Sequence, residues 1–354
     1  MVQFGDRGLD HHVVTADDPR RRECRAGRVF GLIHATTRAL GDVHDHDPAR
    51  TRCRQRLNLL QKVTVKIAER LIQQAKALDR TSNSPSKHHP LAGIPLAIKD
   101  NIDTADLPTS GGTRALLASR PTRNAIVVER LLQSGGLIAG KTNLHELALG
   151  GTNHNAVTGA CRNPWDPLRI PGGSSGGSAV AVAACMVPAA LGTDTGASVR
   201  LPAALCGVVG LRPTTGRYPS EGMLHLSPSK DTVGLMARSV ADVAWLDGLL
   251  AHAPFDSPHL SLKGVRLGLP RADFFEGADP DVLAVIERSL QALIREGVEC
   301  VPLEINELNL HNEATGSTLV MFEMVRSLPA YLQQHSMPMD ALLAGIGSPD
   351  VARL

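Results

Sequence analysis

Apolar positions along the chain repeat at two different spacings, which predicts helices interleaved with strands. Leu96-Ala97-Ile98 is a short apolar run that predicts a buried strand ending at Lys99. Helical spacing of apolar residues predicts a helix over 124–133, and the following apolar run over 137–139 predicts a second strand. An apolar stripe also predicts a helix around 66–79.

The same alternation continues through the second half of the chain. Small residues over 178–185 predict a helix that is followed by a strand over 189–192. Ser239 and Asp242 form a capping box that opens another helix. Alternating units of this kind predict an α/β fold with layers around a mostly buried sheet.

Residues at both ends of a predicted helix over 280–296 are typical of helix caps. Asp279 is placed as its N-cap, Pro280 as its first residue and Gly297 as the residue beyond its end. A strand is predicted over 298–303.

The first 55 residues have weak hydrophobic periodicity and no predicted helix or strand. The sequence therefore divides into an atypical segment 1–55 and one domain over 56–354. Ser348-Pro349-Asp350-Val351 has the pattern of a mid-domain segment, which predicts that this domain is truncated at its C-terminal end.

Composition favours a small-molecule site over a polymer-binding one. Apolar residues make up 43%, charged residues 20% and aromatic residues 3% of the 354 positions, and the formal net charge is +2. A net charge this close to zero does not favour binding to nucleic acid or to an anionic membrane. The low aromatic content disfavours a surface that stacks on nucleic-acid bases.

Two further features favour the cytoplasm. The six cysteines are scattered without a CxxC pair, which is typical of reduced thiols. No run approaches the ~20 apolar residues of a membrane span, and no apolar signal-peptide core follows the first charged residues.

Histidine-rich stretches are weak candidates for metal ligation. Those at 44–47 and 88–89 have no Cys or Glu partner at a zinc-like interval, so solvated loops are the better interpretation. His145-Glu146 is half of an H-E-x-x-H motif, because position 149 is leucine. No metal site and no cofactor are predicted.

A phosphate-loop pattern, G-x-x-x-x-G-K-[ST], occurs over 135–142. That loop needs a strand before its first glycine and free backbone N–H groups between the glycines. Here a helix precedes Gly135, and the intervening apolar residues are themselves a strand. The pattern is therefore interpreted as a false positive.

A run of glycine and serine covers 172–178. Such a run is often a linker, but this one lies between a rigid turn segment and a small-residue helix. Residues 172–176 also satisfy G-x-S-x-G, the nucleophile elbow of α/β-hydrolases, with Ser174 in the serine position. The elbow needs a preceding strand, and Pro171 argues against one.

Residues 192–202 follow a predicted strand and contain Ser198 among small residues. Ligands of α/β folds bind at the carboxyl ends of strands, and small residues let neighbouring N–H groups converge on one oxyanion. A tight turn with a capping serine explains the same residues equally well.

Taken together and in this order, three segments resemble the amidase signature family: the lysine strand over 93–101, the serine loop over 173–177 and the loop over 192–202. Lys99 precedes Ser174 by 75 residues, and Ser198 follows Ser174 by 24. The resemblance runs from about residue 91 to about residue 250. It implies an α/β/α sandwich with a mixed central sheet, and hydrolysis of a carboxamide through an acyl-enzyme.

The resemblance also implies roles for individual residues. Ser198 is the expected nucleophile, Ser174 the relay and Lys99 the base, with a cis peptide bond before Ser174. The expected oxyanion hole consists of the N–H groups of Thr195, Gly196, Ala197 and Ser198. The residues expected to brace the site are Ser175, Asp194 and Arg200.

This reaction agrees with the residue types. Serine needs an adjacent base, and none of the three segments supplies a histidine. A buried lysine can serve, because desolvation lowers its pKa. Ala197 departs from the family pattern, in which a glycine is usual.

Within the family, residues 207–219 and 227–234 resemble bacterial amidases that act on arylacetamides. The expected partner is thus a small amide substrate, with no nucleic acid and no membrane, and a homodimer stays open. The alternatives are an esterase with Ser174 as nucleophile, the amidase subunit of a tRNA-dependent amidotransferase, and a truncated relative that is inactive or weakly active.

Overall fold

The structure is a computed structural model that describes residues 64–67, 71, 73, 74, 89–253, 261–305 and 307–354. The segment 1–55 lies outside these residues. The strands are β1 (Thr64–Ile67), β2 (Pro95–Lys99), β3 (Leu137–Thr142), β4 (Ala189–Asp194), β5 (Val209–Leu211), β6 (Thr232–Ala237), β7 (Arg266–Leu269) and β8 (Glu299–Pro302). The α-helices are α1 (Ile126–Gln133), α2 (Gly176–Ala183), α3 (Arg200–Cys206), α4 (Val240–Ala251), α5 (Arg271–Phe274), α6 (Pro280–Arg295), α7 (Leu308–Gln334) and α8 (Met339–Gly345).

Among the described residues, six strands form the larger sheet in the order β1-β3-β2-β4-β6-β5. β2 is parallel to both β3 and β4, whereas the other neighbours are antiparallel. The sheet is therefore mixed, as predicted. β7 and β8 form a separate parallel pair that α5 and α6 connect.

Side chains of the central strands alternate between two helical layers, because successive strand residues point to opposite faces. Leu96 and Ile98 of β2 join the apolar cluster formed with α1 and α4. Ala97, which lies between them, joins the cluster formed with α2 on the other face. The arrangement is the α/β/α sandwich that the resemblance implies.

Helix α2 approaches the sheet closely because its first turn has almost no side chains. A Cβ atom at Gly177 would overlap the main chain of Asn143, whose carbonyl oxygen accepts the Gly177 N–H at 3.1 Å. The next residue, Ser178, is buried and donates from Oγ to the Leu191 carbonyl oxygen at 2.9 Å. These contacts fix the serine loop that precedes α2 against strands β3 and β4.

The predicted helix boundaries are confirmed where capping chemistry marked them. Ser239 Oγ accepts the Asp242 N–H at 3.1 Å, and Asp279 accepts the Asp281 N–H at 2.9 Å. Gly297 has φ of +94° beyond the end of α6.

The predicted helix over 66–79 is wrong at its start, because residues 66 and 67 belong to β1. Residues 71, 73 and 74 are helical, as predicted. Within the described ranges, even the 27-residue α7 lacks the apolar run that a membrane crossing needs.

Candidate active site

Strand β2 delivers Lys99 into the interior, where none of the residue is exposed to solvent. Its Nζ atom lies 2.7 Å from Ser174 Oγ and 2.6 Å from Thr193 Oγ1. Parallel pairing of β2 with β4 places these groups together, because the carboxyl ends of parallel strands meet at one edge. The predicted contact between Lys99 and Ser174 is present.

Burial changes the protonation of this lysine. Desolvation lowers the pKa of Lys99 from 10.5 to about 7, although the carboxylates of Asp194 and Asp231 oppose the shift. A large share of the molecules therefore carries a neutral amine at neutral pH. A neutral amine at hydrogen-bond distance from a hydroxyl can accept its proton.

The serine loop is held at its backbone as well as at its side chains. The peptide bond between Gly173 and Ser174 is cis, as the resemblance implies. Ser175 Oγ donates to the Thr193 carbonyl oxygen at 3.1 Å and accepts the Thr193 N–H at 3.2 Å. The Ser175 N–H donates to the Ser198 carbonyl oxygen at 3.1 Å, which joins the two serine loops.

Ser198 is half-buried, and its hydroxyl has no hydrogen-bond partner among the described residues. The Ser174 hydroxyl receives a hydrogen bond from Lys99 and makes none to Ser198. The structure thus contains the contact between Lys99 and Ser174 that the expected relay needs. The loops of Ser174 and Ser198 are joined one residue further on, through the Ser175 N–H and the Ser198 carbonyl oxygen.

Asp194 organises the loop that carries Ser198. Its carboxylate accepts the N–H groups of Ala197 at 2.9 Å and Val199 at 3.0 Å. Arg200 donates to both carboxylate oxygens at 3.1 Å. Burial alone would raise the pKa of Asp194, but the hydrogen bonds from Arg200, Val199 and Ala197 outweigh it and lower the pKa to about 2. The bracing roles expected of Asp194 and Arg200 agree with this geometry.

The expected oxyanion hole is altered at one position. Ala197 donates its N–H to Asp194, so that group does not face an incoming oxyanion. Within the described residues, the N–H groups of Thr195, Gly196 and Ser198 make no hydrogen bond. Ala197 has φ of +91°, the left-handed region in which glycine is favoured. The anion-binding prediction therefore rests on three N–H groups instead of four.

Sequence reasoning missed several residues that shape the site. Thr193 Oγ1 contacts the Lys99 amine and also accepts from Asn101 Nδ2 at 3.0 Å. Its position immediately before Asp194, at the end of a buried strand, is the signal that could have found it.

Two charged residues were missed as well. Asp231 accepts the Thr195 hydroxyl at 2.5 Å. Arg212 donates to the Asp194 carboxylate at 3.2 Å and to the Asp194 carbonyl oxygen. Both residues lie in the segments 207–219 and 227–234 that resemble other amidases, but the sequence does not show that these segments reach the site.

The other motifs do not form their sites. Strand β3 occupies 137–142, so its backbone N–H groups cannot wrap a phosphate. No strand precedes Ser174 in the described residues 143–173, and Ser174 is fully buried, whereas a nucleophile elbow exposes its serine at a strand end. The geometry does not fit the esterase alternative.

The family model described as Amidase matches residues 51–345. The chain belongs to the amidase family. It is 44% identical over 286 residues to an indoleacetamide hydrolase of Rhizobium radiobacter, a match that covers 80% of this chain and 61% of that protein. It is 40% identical over 289 residues to a mandelamide hydrolase of Pseudomonas putida, with 79% of this chain and 56% of that protein covered. The chain thus spans less than two thirds of these relatives.

A solved member of the family supports the same placement. The native peptide amidase from Stenotrophomonas maltophilia superposes with a TM-score of 0.74 at 32% identity, covering 92% of this chain and 69% of that one. A TM-score at this level over most of the chain supports the same overall fold.

Proposed function

We propose that the chain hydrolyses a carboxamide to a carboxylic acid and ammonia through an acyl-enzyme on Ser198. The observation that carries this proposal is the contact of 2.7 Å between the Ser174 hydroxyl and a fully buried lysine whose pKa is lowered to about 7. A serine becomes a nucleophile only when a base removes its proton. Lys99 is that base, and Ser174 relays the proton.

The proposed reaction begins with neutral Lys99. Its amine takes the proton of Ser174 while Ser174 takes that of Ser198, whose Oγ attacks the amide carbon. The N–H groups of Thr195, Gly196 and Ser198 stabilise the tetrahedral oxyanion. The proton then returns through Ser174 to the amide nitrogen, ammonia leaves, and water hydrolyses the acyl-enzyme by the same route.

The relay needs Ser198 to move when substrate binds, because its hydroxyl is not yet bonded to Ser174. Hydrogen bonds of catalytic groups are often longer without substrate and shorten in the reacting complex. The bond between the Ser175 N–H and the Ser198 carbonyl oxygen already holds the two loops together. The mechanism requires no cofactor.

An arylacetamide-like substrate is the proposed class. Its support is the likeness to an indoleacetamide hydrolase and a mandelamide hydrolase, whose names both denote aryl-substituted acetamides. A cytoplasmic location is proposed on the free state of all four cysteines in the described residues, Cys161, Cys185, Cys206 and Cys300.

Ammonia release from indoleacetamide and mandelamide tests this proposal, together with mass mapping of a serine-directed phosphonate. Wild type should release ammonia and carry the adduct on Ser198. Ser198→Ala should lose both, whereas Ser174→Ala should acylate slowly, with a loss of roughly 10²–10⁴-fold. Ser289→Ala, at an exposed position on α6, serves as the control and should behave as wild type.

Two outcomes would overturn the assignment. An adduct on Ser174 with Ser198 unmodified would identify the wrong nucleophile. Undiminished ammonia release by Ser198→Ala would exclude the acyl-enzyme on that residue.

A further inference from the structure

His145 lies directly behind the serine loop, three residues after β3 ends. Its main-chain N–H donates to the carbonyl oxygen of Ser174 at 3.1 Å. The residue itself is almost completely buried. Any displacement of His145 would therefore be transmitted to the peptide that carries the proposed relay serine.

The His145 ring is fixed at both of its nitrogens. Nε2 lies 2.9 Å from a carboxylate oxygen of Asp350, and Nδ1 lies 3.3 Å from Thr152 Oγ1. One neutral tautomer satisfies both contacts, with Nε2 donating to Asp350 and Nδ1 accepting from Thr152. Asp350 thus determines both the orientation and the tautomer of the ring.

A second route leads from the ring to the serine loop through close packing. The ring lies against Gly150, so that a Cβ atom there would overlap its atoms. A Cβ atom at Gly173 would in turn press against the main chain of residues 150, 151 and 153. The Gly173 peptide therefore lies on backbone that the His145 ring supports.

The segment that carries Asp350 is anchored independently. The buried carboxylate of Glu146 accepts the N–H groups of Gly347 at 3.0 Å and Ser348 at 2.7 Å. Ser348 Oγ accepts the Ala156 N–H at 3.1 Å. Hydrogen bonds to the protein interior therefore fix the backbone just before Asp350. The Asp350 side chain contacts His145 while half of it stays exposed to solvent.

We propose that His145 and Asp350 form a clamp that positions Ser174 for proton transfer, so that both are positioning residues of the reaction. The inference rests on the proposed function to the extent that Ser174 is the relay. His145 and Glu146 form only half of an H-E-x-x-H motif, because position 149 is leucine. The clamp gives His145 a role through its contact with Asp350, and Glu146 a role through the segment that it anchors. The clamp also couples the chemistry to a segment about 175 positions beyond Ser174 in the sequence.

The test uses Asp350, because an exposed side chain can be changed without opening the core. Asp350→Ala should lower kcat on indoleacetamide about tenfold with KM within about twofold, since a displaced reacting group costs rate more than binding. Asp350→Asn keeps an acceptor for Nε2 and should restore most of the rate. Asp340→Ala, at an exposed residue on α8, is the matched control and should match wild type.

Amide hydrogen exchange supplies a readout that needs no substrate. Peptides that cover 143–150 and 172–178 should exchange about tenfold faster in Asp350→Ala than in wild type or Asp340→Ala, because lost contacts permit local opening. Unchanged exchange in these peptides would overturn the clamp, and so would a kcat equal to that of wild type. A wild type without amide turnover would overturn the proposed function instead, and hydrogen exchange would still decide the clamp.

Discussion

Lys99 keeps its amine in the protein interior, where a charged group is costly. Since burial lowers its pKa to about 7, the folded chain releases a proton that the unfolded chain holds until about pH 10. The free energy of unfolding therefore rises with pH between about 7 and 10, and the penalty is complete below this window. A base that is useful at neutral pH is thus a source of instability.

Lys99→Met should separate these two effects. The variant should lose amide hydrolysis but gain about 2–4 kcal/mol in free energy of unfolding at pH 7, because the folded state no longer has to bury an ammonium or release its proton. The gain should shrink toward pH 10, where the lysine is neutral in both states. Urea denaturation at several pH values measures it, with Lys263→Met at an exposed position as control. A variant less stable than wild type at pH 7 would contradict the prediction.

Ala197 offers a second test at the same scale. Its φ of +91° strains any residue with a Cβ atom, so Ala197→Gly should raise the free energy of unfolding by about 0.5–1 kcal/mol. Ala204→Gly, the same change at an exposed position of α3, should lower it by about 1 kcal/mol because glycine disfavours helix. Thermal unfolding of both variants gives the comparison, and a loss of stability in Ala197→Gly would refute the strain.

Sequence could name candidate residues that the structure brings together, but not all of their contacts. The meeting of Lys99 with Ser174 follows from the motif order together with parallel strands. That Asp194 would take the Ala197 N–H away from the oxyanion hole could not be foreseen, because it depends on where one loop turns. Thr193 was missed for a different reason, since its hydroxyl becomes a partner of Lys99 only through the pairing of β2 with β4.

At the scale of elements, boundaries were predictable where chemistry marks them. The caps of α4 and α6 occur as predicted because Ser239 and Asp279 bond to their first turns. β6 was missed because Gly234 divides its short apolar run, and burial along the whole length leaves no alternation to identify it. α7 was missed because Gly316 and Pro329 interrupt its sequence and no side chain caps its start.

The close approach of α2 to the sheet makes the protein sensitive to a larger side chain at Gly177. Gly177→Ala should lower the free energy of unfolding by about 1–3 kcal/mol, because its methyl group would overlap the Asn143 main chain. Gly316→Ala, the same change in the open middle of α7, should raise it by about 0.5–1 kcal/mol through helix propensity. Denaturant midpoints of the two variants should move in opposite directions. If both midpoints moved in the same direction, steric overlap at Gly177 would not be what lowers the stability of Gly177→Ala.

At the scale of the whole molecule, buried polar groups join α7 to Asp103, four residues after Lys99. The Tyr331 hydroxyl donates to Asp103 at 2.8 Å, and the His335 ring lies 3.7 Å from the same carboxylate. Burial raises the pKa of Asp103, while the hydrogen bond from Tyr331 lowers it. Residues more than 200 positions apart thus share one polar contact, which no local pattern in the sequence could indicate.

Tyr331→Phe should weaken that connection. Loss of its hydroxyl leaves a buried acceptor short of a partner and should cost about 1–3 kcal/mol in free energy of unfolding. Tyr218→Phe is the control, because its partner Asp247 keeps two bonds from Arg217 and should lose less. Urea denaturation compares the two, and an equal or smaller loss for Tyr331→Phe would contradict the role given to Asp103.

The groups proposed to react, together with Asp194 and Arg200 that brace them, all lie between positions 99 and 200 of the chain. One continuous stretch of the chain therefore holds the groups proposed to react, whereas Arg212, Asp231 and Asp350 support them from later positions. The segments 207–219 and 227–234, whose resemblance suggests the substrate class, lie beyond this stretch. Recombination between the two parts could exchange those segments and leave the reacting groups together. We expect lineages built on this arrangement to change their substrates faster than their chemistry.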